Sequence, residues 1–501
     1  MNQEAATVGS VAGPLEAILR LVADVANRVG VETYVVGGYV RDVFLGRPTP
    51  DLDFVSVGPE SGIRLAEAVG RELGTRKVAV YANFGTAAVR LSADQAARYG
   101  VEVLEFVAAR KESYSSESRK PSVDAGTLED DQLRRDFTVN ALAVRLDGEH
   151  FGTLLDPFDG IGDLQARVLR TPRDPEVTFE DDPLRMIRAA RFAAQLGFEL
   201  AADVRRAMTA RAERIRIVSQ ERITDELQKI MLSDRPSVGF RILFETGLLQ
   251  QFFPELADLH GVDTVGRQAH KDNFYHTLQV VDNLVDAVRD RPAEETLWLR
   301  WAALLHDIAK PRTKRYLAGT GWTFHGHEDR GARMVPRIFK RLRLPTDDRQ
   351  KYVQKLVLLH HRPVALVDDA VTDSAVRRLL FDAGPEVDDL MTLVRADITS
   401  KNERRVRRYL RAFDSVEEKM REVDEKDRLR NFQPPVDGKE IMDALGLPPS
   451  RVIGTLKSEI REAILEGRIP NEHDAAFAFL MEIKDGILDA AKDDDLKERR
   501  G

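Results

Sequence analysis

Near Thr178 the hydrophobic period of the chain changes from about two residues to about 3.6, and the longer period persists to the end. Upstream, "LDFVSVG", "KVAVYA", "TAAVRLS", "VEVLEFVAAR" and "TVNALAVRL" alternate as strands do, while "LEAILRLVADVANRV" and "GIRLAEAVGRELG" carry helical spacing. Downstream, "DDPLRMIRAARFAAQLGF", "ERITDELQKIMLS", "LWLRWAALLHDIAK" and "QKYVQKLVLLHH" are helical, with Pro or Gly between them. The pattern predicts an α/β head with a mixed sheet followed by an all-α body. The stretch "RKESYSSESRKPSVDAGTLEDDQ", polar and without a period, reads as a mobile loop, and the terminal "KDDDLKERRG" as frayed. A chain of 501 residues exceeds one ordinary core. The signals divide it into an N-terminal helix (1–30), an α/β head (31–158), two helical domains (159–260 and 261–400) and a helical tail (401–501).

Composition narrows the chemistry. The chain has no cysteine, which removes disulfides, thiolate metal ligands and thiol nucleophiles, so any metal must be held by His, Asp or Glu. The N-terminus has no basic segment leading into an apolar one, and no uncharged run approaches the roughly 20 residues needed to span a bilayer; the expectation is a cytoplasmic protein without a membrane partner. A net charge of −8 argues against a chain that coats nucleic acid over its whole surface, but local basic stretches remain. Arg205, Arg206, Arg211, Arg214 and Arg216 form one, Arg333, Arg337, Lys340, Arg341 and Arg343 a second, and Lys401, Arg404, Arg405, Arg407, Arg408 and Arg411 a third. Each alone reads as a solvated helix face; together they favour a polyanion partner.

In "GRPTPDLDFVSVG" strand alternation points Asp51 and Asp53 to one face. Two adjacent carboxylates repel unless cations lie between them, and Mg2+, a hard ion that also takes phosphate oxygens, is the natural partner. About ten residues upstream, "VVGGYVRD" sets Gly37 and Gly38 at a strand end and Arg41 in the first turn of a helix, a cradle for a triphosphate. Without the Asp pair this would be a plain strand-to-helix turn.

Four consecutive segments, "VVGGYVRDVFLGRPTPDLDFV", "LEDDQLRRDFTVNALAV", "LLDPFDGIGDLQARVLRT" and "DDPLRMIRAARFAAQLGF", resemble in order and spacing the motifs of the tRNA nucleotidyltransferase and poly(A) polymerase family of the polymerase-β superfamily, most closely its bacterial CCA-adding branch. The resemblance covers roughly residues 31–232. It implies that Gly38 and Arg41 contact the phosphates of the incoming nucleotide, that Asp51 and Asp53 hold catalytic metals, that Arg135, Asp136 and Asn140 bind nucleotide and ribose, and that Asp182, Arg185 and Arg188 form a base-reading edge. The last three, spaced by three, are expected on one helix face, where a carboxylate beside guanidinium donors selects C or A without a template. The last motif often begins Glu-Asp; here Asp181-Asp182 follows Glu180, which leaves open which acid takes the family's glutamate position. Glu105 is a candidate third carboxylate, or an edge-strand glutamate. The implied reaction is two-metal phosphoryl transfer, a ribose 3′-hydroxyl displacing pyrophosphate from CTP or ATP at the 3′ end of tRNA.

In the body, His276, His306-Asp307, His327, His360-His361 and Asp397 follow one another on or beside apolar helices, where an uncompensated polar cluster is costly. Their order resembles the HD phosphohydrolase superfamily. That implies a core site of His276, His306, Asp307 and Asp397, with His327 and His360 joining a second ion, and a set suited to Mn2+, Ni2+, Co2+, Fe2+ or Mg2+. Metal-assisted hydrolysis of a phosphomonoester or 2′,3′-cyclic phosphate on an RNA end is the chemistry implied; a vestigial fold that only positions RNA is the alternative. The tail "EKDRLRNFQPPVDGKEIMDALGLPPSRVIGTLKSEIREAILEGRIPN" resembles the C-terminal segment of HD-containing members and is expected to touch the RNA body. Within the class, partial CC- or A-adding enzymes and a bacterial poly(A) polymerase compete with full CCA addition. A phosphohydrolase with a nucleotide-binding head and a noncatalytic RNA-binding module are the readings from other classes.

Overall fold

The computed structural model describes residues 14–48, 51–75, 78–81, 85–115, 118–265, 268–269, 271–368, 372–400, 402–427 and 435–498. It divides into two compact units, Met1–Pro254 and Glu255–Gly501.

The first unit is built on a seven-stranded mixed sheet. Its strands are β1 (Thr33–Val36), β2 (Asp51–Ser56), β3 (Val78–Tyr81), β4 (Thr86–Arg90), β5 (Val103–Ala108), β8 (Ala143–Arg145) and β9 (Leu154–Leu155), in the order β3-β4-β5-β2-β1-β8-β9. β2 runs parallel to β5 and antiparallel to β1. Central β1, "TYVV", is buried on both faces, hence its unbroken apolar run. In β2, Leu52 and Phe54 turn into the core, where Phe54 stacks on Phe106 of β5 at 4.9 Å between ring centres. Burying one such side chain contributes roughly 2 kcal/mol. Helix α1 (Pro14–Val29) packs on α3 (Ser61–Glu72), which covers β2, β4 and β5. Gly62 sits in α3 because a methyl group there would come within 2.7 Å of the backbone nitrogen of Ala108. Helix α2 (Gly38–Leu45) follows β1 directly.

Three expectations for the head need correction. Residues 110–132 are not an aperiodic loop: Arg110–Ser115 (β6) and Ser118–Ala125 (β7) pair antiparallel as a separate two-stranded sheet, and Leu128–Leu133 is a helix (α5). An alternating apolar pattern appears only where one strand face joins a core, and this ribbon is not part of the main sheet. Helix α4 (Ala93–Tyr99) was unanticipated, although Ser92 and Gln95 form a reciprocal capping box, as Thr127 and Asp130 do for α5. The expected long strand "TVNALAVRL" is a 3-10 turn at Thr138–Asn140 and only three strand residues.

Helical structure begins before Thr178, with α6 (Gly160–Ala166) and α7 (Pro175–Asp181). Next come α8 (Leu184–Leu196), α9 (Ala202–Ala210), α10 (Gln220–Met231) and α11 (Pro236–Glu245). Ile187, Ala190, Leu227, Ile230 and Leu243 make the core where α8 meets α10 and α11. The second unit is helical, as expected, with only small two-stranded pieces such as Arg315–Leu317 with Gly321–Thr323 between its helices. Helix Ala293–Leu305 lies at its centre, its last ten residues almost wholly buried. Farther along, Ile441, Leu456, Ile460, Ala476 and Leu480 form a small core of their own. The terminal segment expected to fray is helical through Glu498; residues 499–501 lie outside the described residues. Among the described residues no helix is long and apolar enough to cross a membrane.

Candidate nucleotide and metal sites

At the end of β1 the chain turns at Gly37, whose φ of 74° and ψ of −133° favour glycine, and enters α2. A methyl group at Gly37 would come within 3.0 Å of Arg135 Nη1 and 3.7 Å of Asp53 Oδ2, so the glycine leaves backbone, guanidinium and carboxylate room to converge. Asp53 lies opposite Val36 on one side and, in parallel register, opposite Glu105 on the other. Glu105 is therefore on an interior strand of the sheet, not an edge strand, directly beside Asp53. Asp51 opens β2 two residues earlier. Its side chain lies outside the described residues, so the expected pairing of Asp51 with Asp53 is not described; the carboxylate residue placed directly beside Asp53 is Glu105.

A cavity of about 850 Å3 opens over this turn. Gly37, Gly38, Arg41, Asp53, Glu105, Arg135, Asp136, Asn140, Asp182, Arg185 and Arg188 all line it. The lining carries eight cationic side chains against four acidic ones, an electrostatic match to a triphosphate. A chain of hydrogen bonds sets the wall: Arg41 Nη1 donates to Asn140 Oδ1 (2.7 Å), Asn140 Nδ2 to Asp136 Oδ1 (3.0 Å), and Arg188 Nε to Asp136 Oδ2 (2.7 Å). Below it, the fully buried Asp131 holds Arg135 through both Nε and Nη2.

Burial alone would raise the pKa of Asp136, but the Arg188 guanidinium and the Asn140 amide outweigh it and hold the group down to about 2. A carboxylate depressed in the folded state adds stability above its unfolded pKa of about 3.9, and that stability is lost as pH falls toward 2. Urea unfolding of the wild type is thus expected to weaken by about 2 kcal/mol more than that of Asp136→Asn between pH 5 and pH 2, measured as the converging difference of the two curves. Parallel curves would exclude the charged Asp136–Arg188 pair.

The trio Asp182, Arg185 and Arg188 does not share one helix face. Pro183 disfavours α geometry at the residue before it, so α7 ends at Asp181, Asp182 is extended (φ −136°, ψ 98°), and α8 begins at Leu184. Asp182 accepts from Leu184 N and pairs with Arg222 at 3.3 Å. Arg185 turns inward, donating through Nη2 to the Arg134 carbonyl (2.6 Å) and through Nη1 to that of Thr178. Of three successive acids, Glu180 is taken by Arg211 and Arg214 and Asp181 by Arg173, leaving Asp182 on the cavity. Arg191, Arg222 and Lys229 also line the cavity and were missed. Arg191, one turn beyond Arg188 on α8, was visible in the spacing, whereas α10 gives no local sign that Arg222 and Lys229 return to this wall.

In the second unit six side chains converge. His306, His360 and Asp397 each cap the C-terminus of a helix, His327 starts one (His327–Arg341), and His276 comes from Asn273–Ala287. Asp307 faces two groups with its two oxygens. Oδ2 lies 3.5 Å from His276 Nε2 and 3.2 Å from His306 Nε2, and Oδ1 lies 3.4 Å from His327 Nε2 and 3.9 Å from His360 Nε2. Asp397 Oδ1 closes the first group, 2.9 Å from His276 Nε2 and 3.6 Å from His306 Nε2. His361 is exposed, and Lys310, unanticipated, reaches Asp307 Oδ2 at 2.5 Å.

These residues fit divalent cations. The Nδ1 atoms of His306, His327 and His360 face the carbonyls of Ala303, Phe324 and Val357, which can only accept, so each Nδ1 carries hydrogen and each Nε2 turns to the centre. Nε2 of His327 and Nε2 of His360 stand 3.1 Å apart, lone pair toward lone pair unless a proton or cation lies between. His306 Nε2 is buried and turned toward Asp307 Oδ2, 3.2 Å away, with no well-aligned hydrogen bond. Burial holds His360 down, to about 3, and therefore neutral; in His306 burial is outweighed by Asp307 and Asp397, which raise it to about 10. Asp307 and Asp397 stay well below the usual carboxylate range despite burial, held by the facing imidazoles and, for Asp307, Lys310.

Three family models match. The poly(A) polymerase head domain matches residues 33–170, the probable RNA- and SrmB-binding site of polymerase A residues 197–259, and the HD domain residues 273–400. An A-adding tRNA nucleotidyltransferase of Deinococcus radiodurans is 32% identical over 454 residues, covering 88% of this chain and 93% of that protein. A multifunctional CCA protein of Ralstonia nicotianae is 36% identical over 335 residues, covering 64% and 70%. Among solved structures, the Bacillus stearothermophilus CCA-adding enzyme in complex with CTP superposes with a TM-score of 0.61 at 23% identity, over 95% of this chain and 99% of that one. The Thermotoga maritima CCA-adding enzyme complexed with tRNA-CCA gives 0.59 at 20% identity, over 95% and 97%. At that identity the two structures speak for the fold. Head and HD domain are both of kinds that use divalent metal ions. With its polymerase head, RNA-binding neck and HD domain in that order, the chain belongs to the tRNA nucleotidyltransferase and poly(A) polymerase family.

Proposed function

We propose that the protein adds C, C and A from CTP and ATP to the 3′ end of tRNA without a nucleic-acid template. The observation that carries the reading is the cationic cavity over the Gly37 turn, with Asp53 and Glu105 side by side at its floor. Asp51 and Asp53, with Glu105 beside them, would hold Mg2+, whose chemistry when bound would be to activate the attacking 3′-hydroxyl and to neutralise charge on the leaving pyrophosphate. Gly38 and Arg41 hold the phosphates, and Arg135, Asp136 and Asn140 hold the sugar side of the nucleotide. Arg41 is already oriented by Asn140, so little ordering remains to be done when the substrate enters. Asp182 accepts from the exocyclic amine that C and A share, while Arg188 and Arg222 present donors to ring acceptors. The wrong base leaves these groups unpaired, at about 1–3 kcal/mol per lost bond. The sites are assigned to a head (31–158), a neck (159–260) and an HD-type domain (261–400), followed by a tail (401–501).

The HD-type domain would bind one or two divalent ions, Mn2+, Ni2+, Co2+, Fe2+ or Mg2+, through His276, His306, Asp307 and Asp397 with His327 and His360, and when bound these supply hydrolysis of a phosphate ester on an RNA end. A second reading, addition of the terminal A alone, is favoured by the name of the Deinococcus radiodurans relative that spans most of the chain. Transcripts ending at the discriminator base, at C or at CC, given Mg2+ with CTP, ATP or both, separate the readings by product length. Growth that stops after CCA supports full addition, A added only to transcripts ending in CC supports the second reading, and unlimited A or phosphate release alone would overturn both.

A further inference from the structure

Helix Glu403–Asp427 has its charges in the wrong order for a helix. Arg404, Arg405, Arg407, Arg408 and Arg411 crowd its N-terminal half, where the macrodipole disfavours cations, and its C-terminal half is rich in Asp and Glu, where it disfavours anions. The acidic half is used internally: Arg395 binds Asp414 and Glu417, while Lys419 binds Asp373. The basic half is not. Among the described residues Arg404, Arg405, Arg408 and Arg411 are paired with no carboxylate, and Arg407 reaches only Glu403, at 3.5 Å. Arg404, Arg408 and Arg411 recur at i, i+4 and i+7, so all three lie along one exposed stripe. Beside it Arg405 and Arg408 flank the half-buried Tyr409 ring at 5.7 and 5.5 Å. By contrast Arg205, Arg211 and Arg214 of the first basic stretch are spent on Glu245, Glu176 and Glu180.

Five guanidiniums held together, exposed and against the helix dipole destabilise the free protein unless a polyanion meets them. The segment rises directly from the HD-type centre: Thr399, three residues before Asn402, has its hydroxyl 2.8 Å from His276 Nδ1. We propose that the N-terminal half of this helix is a docking surface for the phosphodiester backbone of RNA, which lays the RNA along the rim of the HD-type centre. The inference rests on the reading of the protein as an enzyme of RNA ends, and it assigns a contact that neither the head nor the neck provides.

The test is fluorescence anisotropy of the full-length protein with a tRNA transcript lacking its 3′ CCA, titrated at several salt concentrations without nucleotides. Replacing Arg404, Arg405, Arg408 and Arg411 together by Gln is expected to weaken binding about tenfold or more near 0.1 M salt and to make the log–log salt dependence shallower by about 2–3. The melting temperature is expected to hold or rise, because the lost charges opposed the dipole. The same four positions changed to Lys should restore most of the affinity, since phosphate contact needs charge more than the guanidinium fork. Unchanged affinity and slope in the Gln variant would overturn the proposal, as would a Lys variant that binds no better than the Gln variant. Loss of binding to poly-glutamate with tRNA binding intact would reassign the stripe to an acidic protein and overturn it equally. Anisotropy needs no turnover, so a wild type that binds RNA but adds no nucleotide would sink the proposed reaction and leave this surface standing.

Discussion

Asp53→Asn is expected to lower nucleotide incorporation on the order of 10³-fold while leaving the melting temperature within a few degrees of wild type. The size follows from its position. Asp53 is half-buried at the floor of the cavity, beside Glu105 and within reach of the Gly37 turn, so its carboxylate is the charge that would draw a cation to the α-phosphate. The amide fills the same space and removes the charge, and the strand's core contacts come from Leu52 and Phe54, which are untouched. Glu105→Gln is expected to cost less, on the order of tenfold, because Glu105 is exposed. Single-turnover incorporation with Mg2+ reads the effect. A rate for Asp53→Asn within tenfold of wild type would remove the carboxylate from the mechanism.

Joint replacement of His306 and Asp307 by Ala is expected to abolish divalent metal retained by the second unit, from about one or two ions per chain to none, and with it any phosphate-ester hydrolysis. Asp307 is the shared member, one oxygen toward each histidine group, so its loss removes both groups at once. The proteins would be compared by elemental analysis after dialysis against excess Mn2+. Nucleotide addition by the head is expected to remain within about twofold. Because the cluster is buried, removing both partners together is the cleaner change: Asp307→Ala alone would leave His306 buried with its largest attraction gone. Metal content unchanged in the double variant would sink the site; metal lost with hydrolysis never present in the wild type would leave a binding site without that chemistry.

How much of this was legible in the sequence depends on how local each signal is. The strand, the glycine turn and the helix carrying Arg41 lie within thirteen residues, Thr33–Leu45, and were readable because burial and turn geometry act over that range. The six HD-type residues, spread over more than a hundred positions, were singled out because ligand-type side chains stand out on apolar helices and because their order resembles that of the HD superfamily. Two kinds of error came from elsewhere. The ribbon 110–125 was taken for a loop because its sequence carries no apolar alternation and it pairs outside the main sheet, and the helices after Ser92 and Thr127 were missed although their caps were written in the sequence. Asp182 was placed on a helix that Pro183 had already ended. Arg222 and Lys229 reach the cavity through the packing of α10 on α8, which no window of sequence contains.

One consequence concerns how the cavity changes size. Arg185 binds the carbonyl of Arg134 and Arg188 binds Asp136, so two side chains a single turn apart on α8 fasten the neck to successive parts of one head segment. Fastenings placed so close act like a buckle: a swing of α8 away from the head must undo both together, and partial gaping is disfavoured. The wall is thereby held at two points, and a variant that lost one fastening would still keep α8 tied to the head by the other.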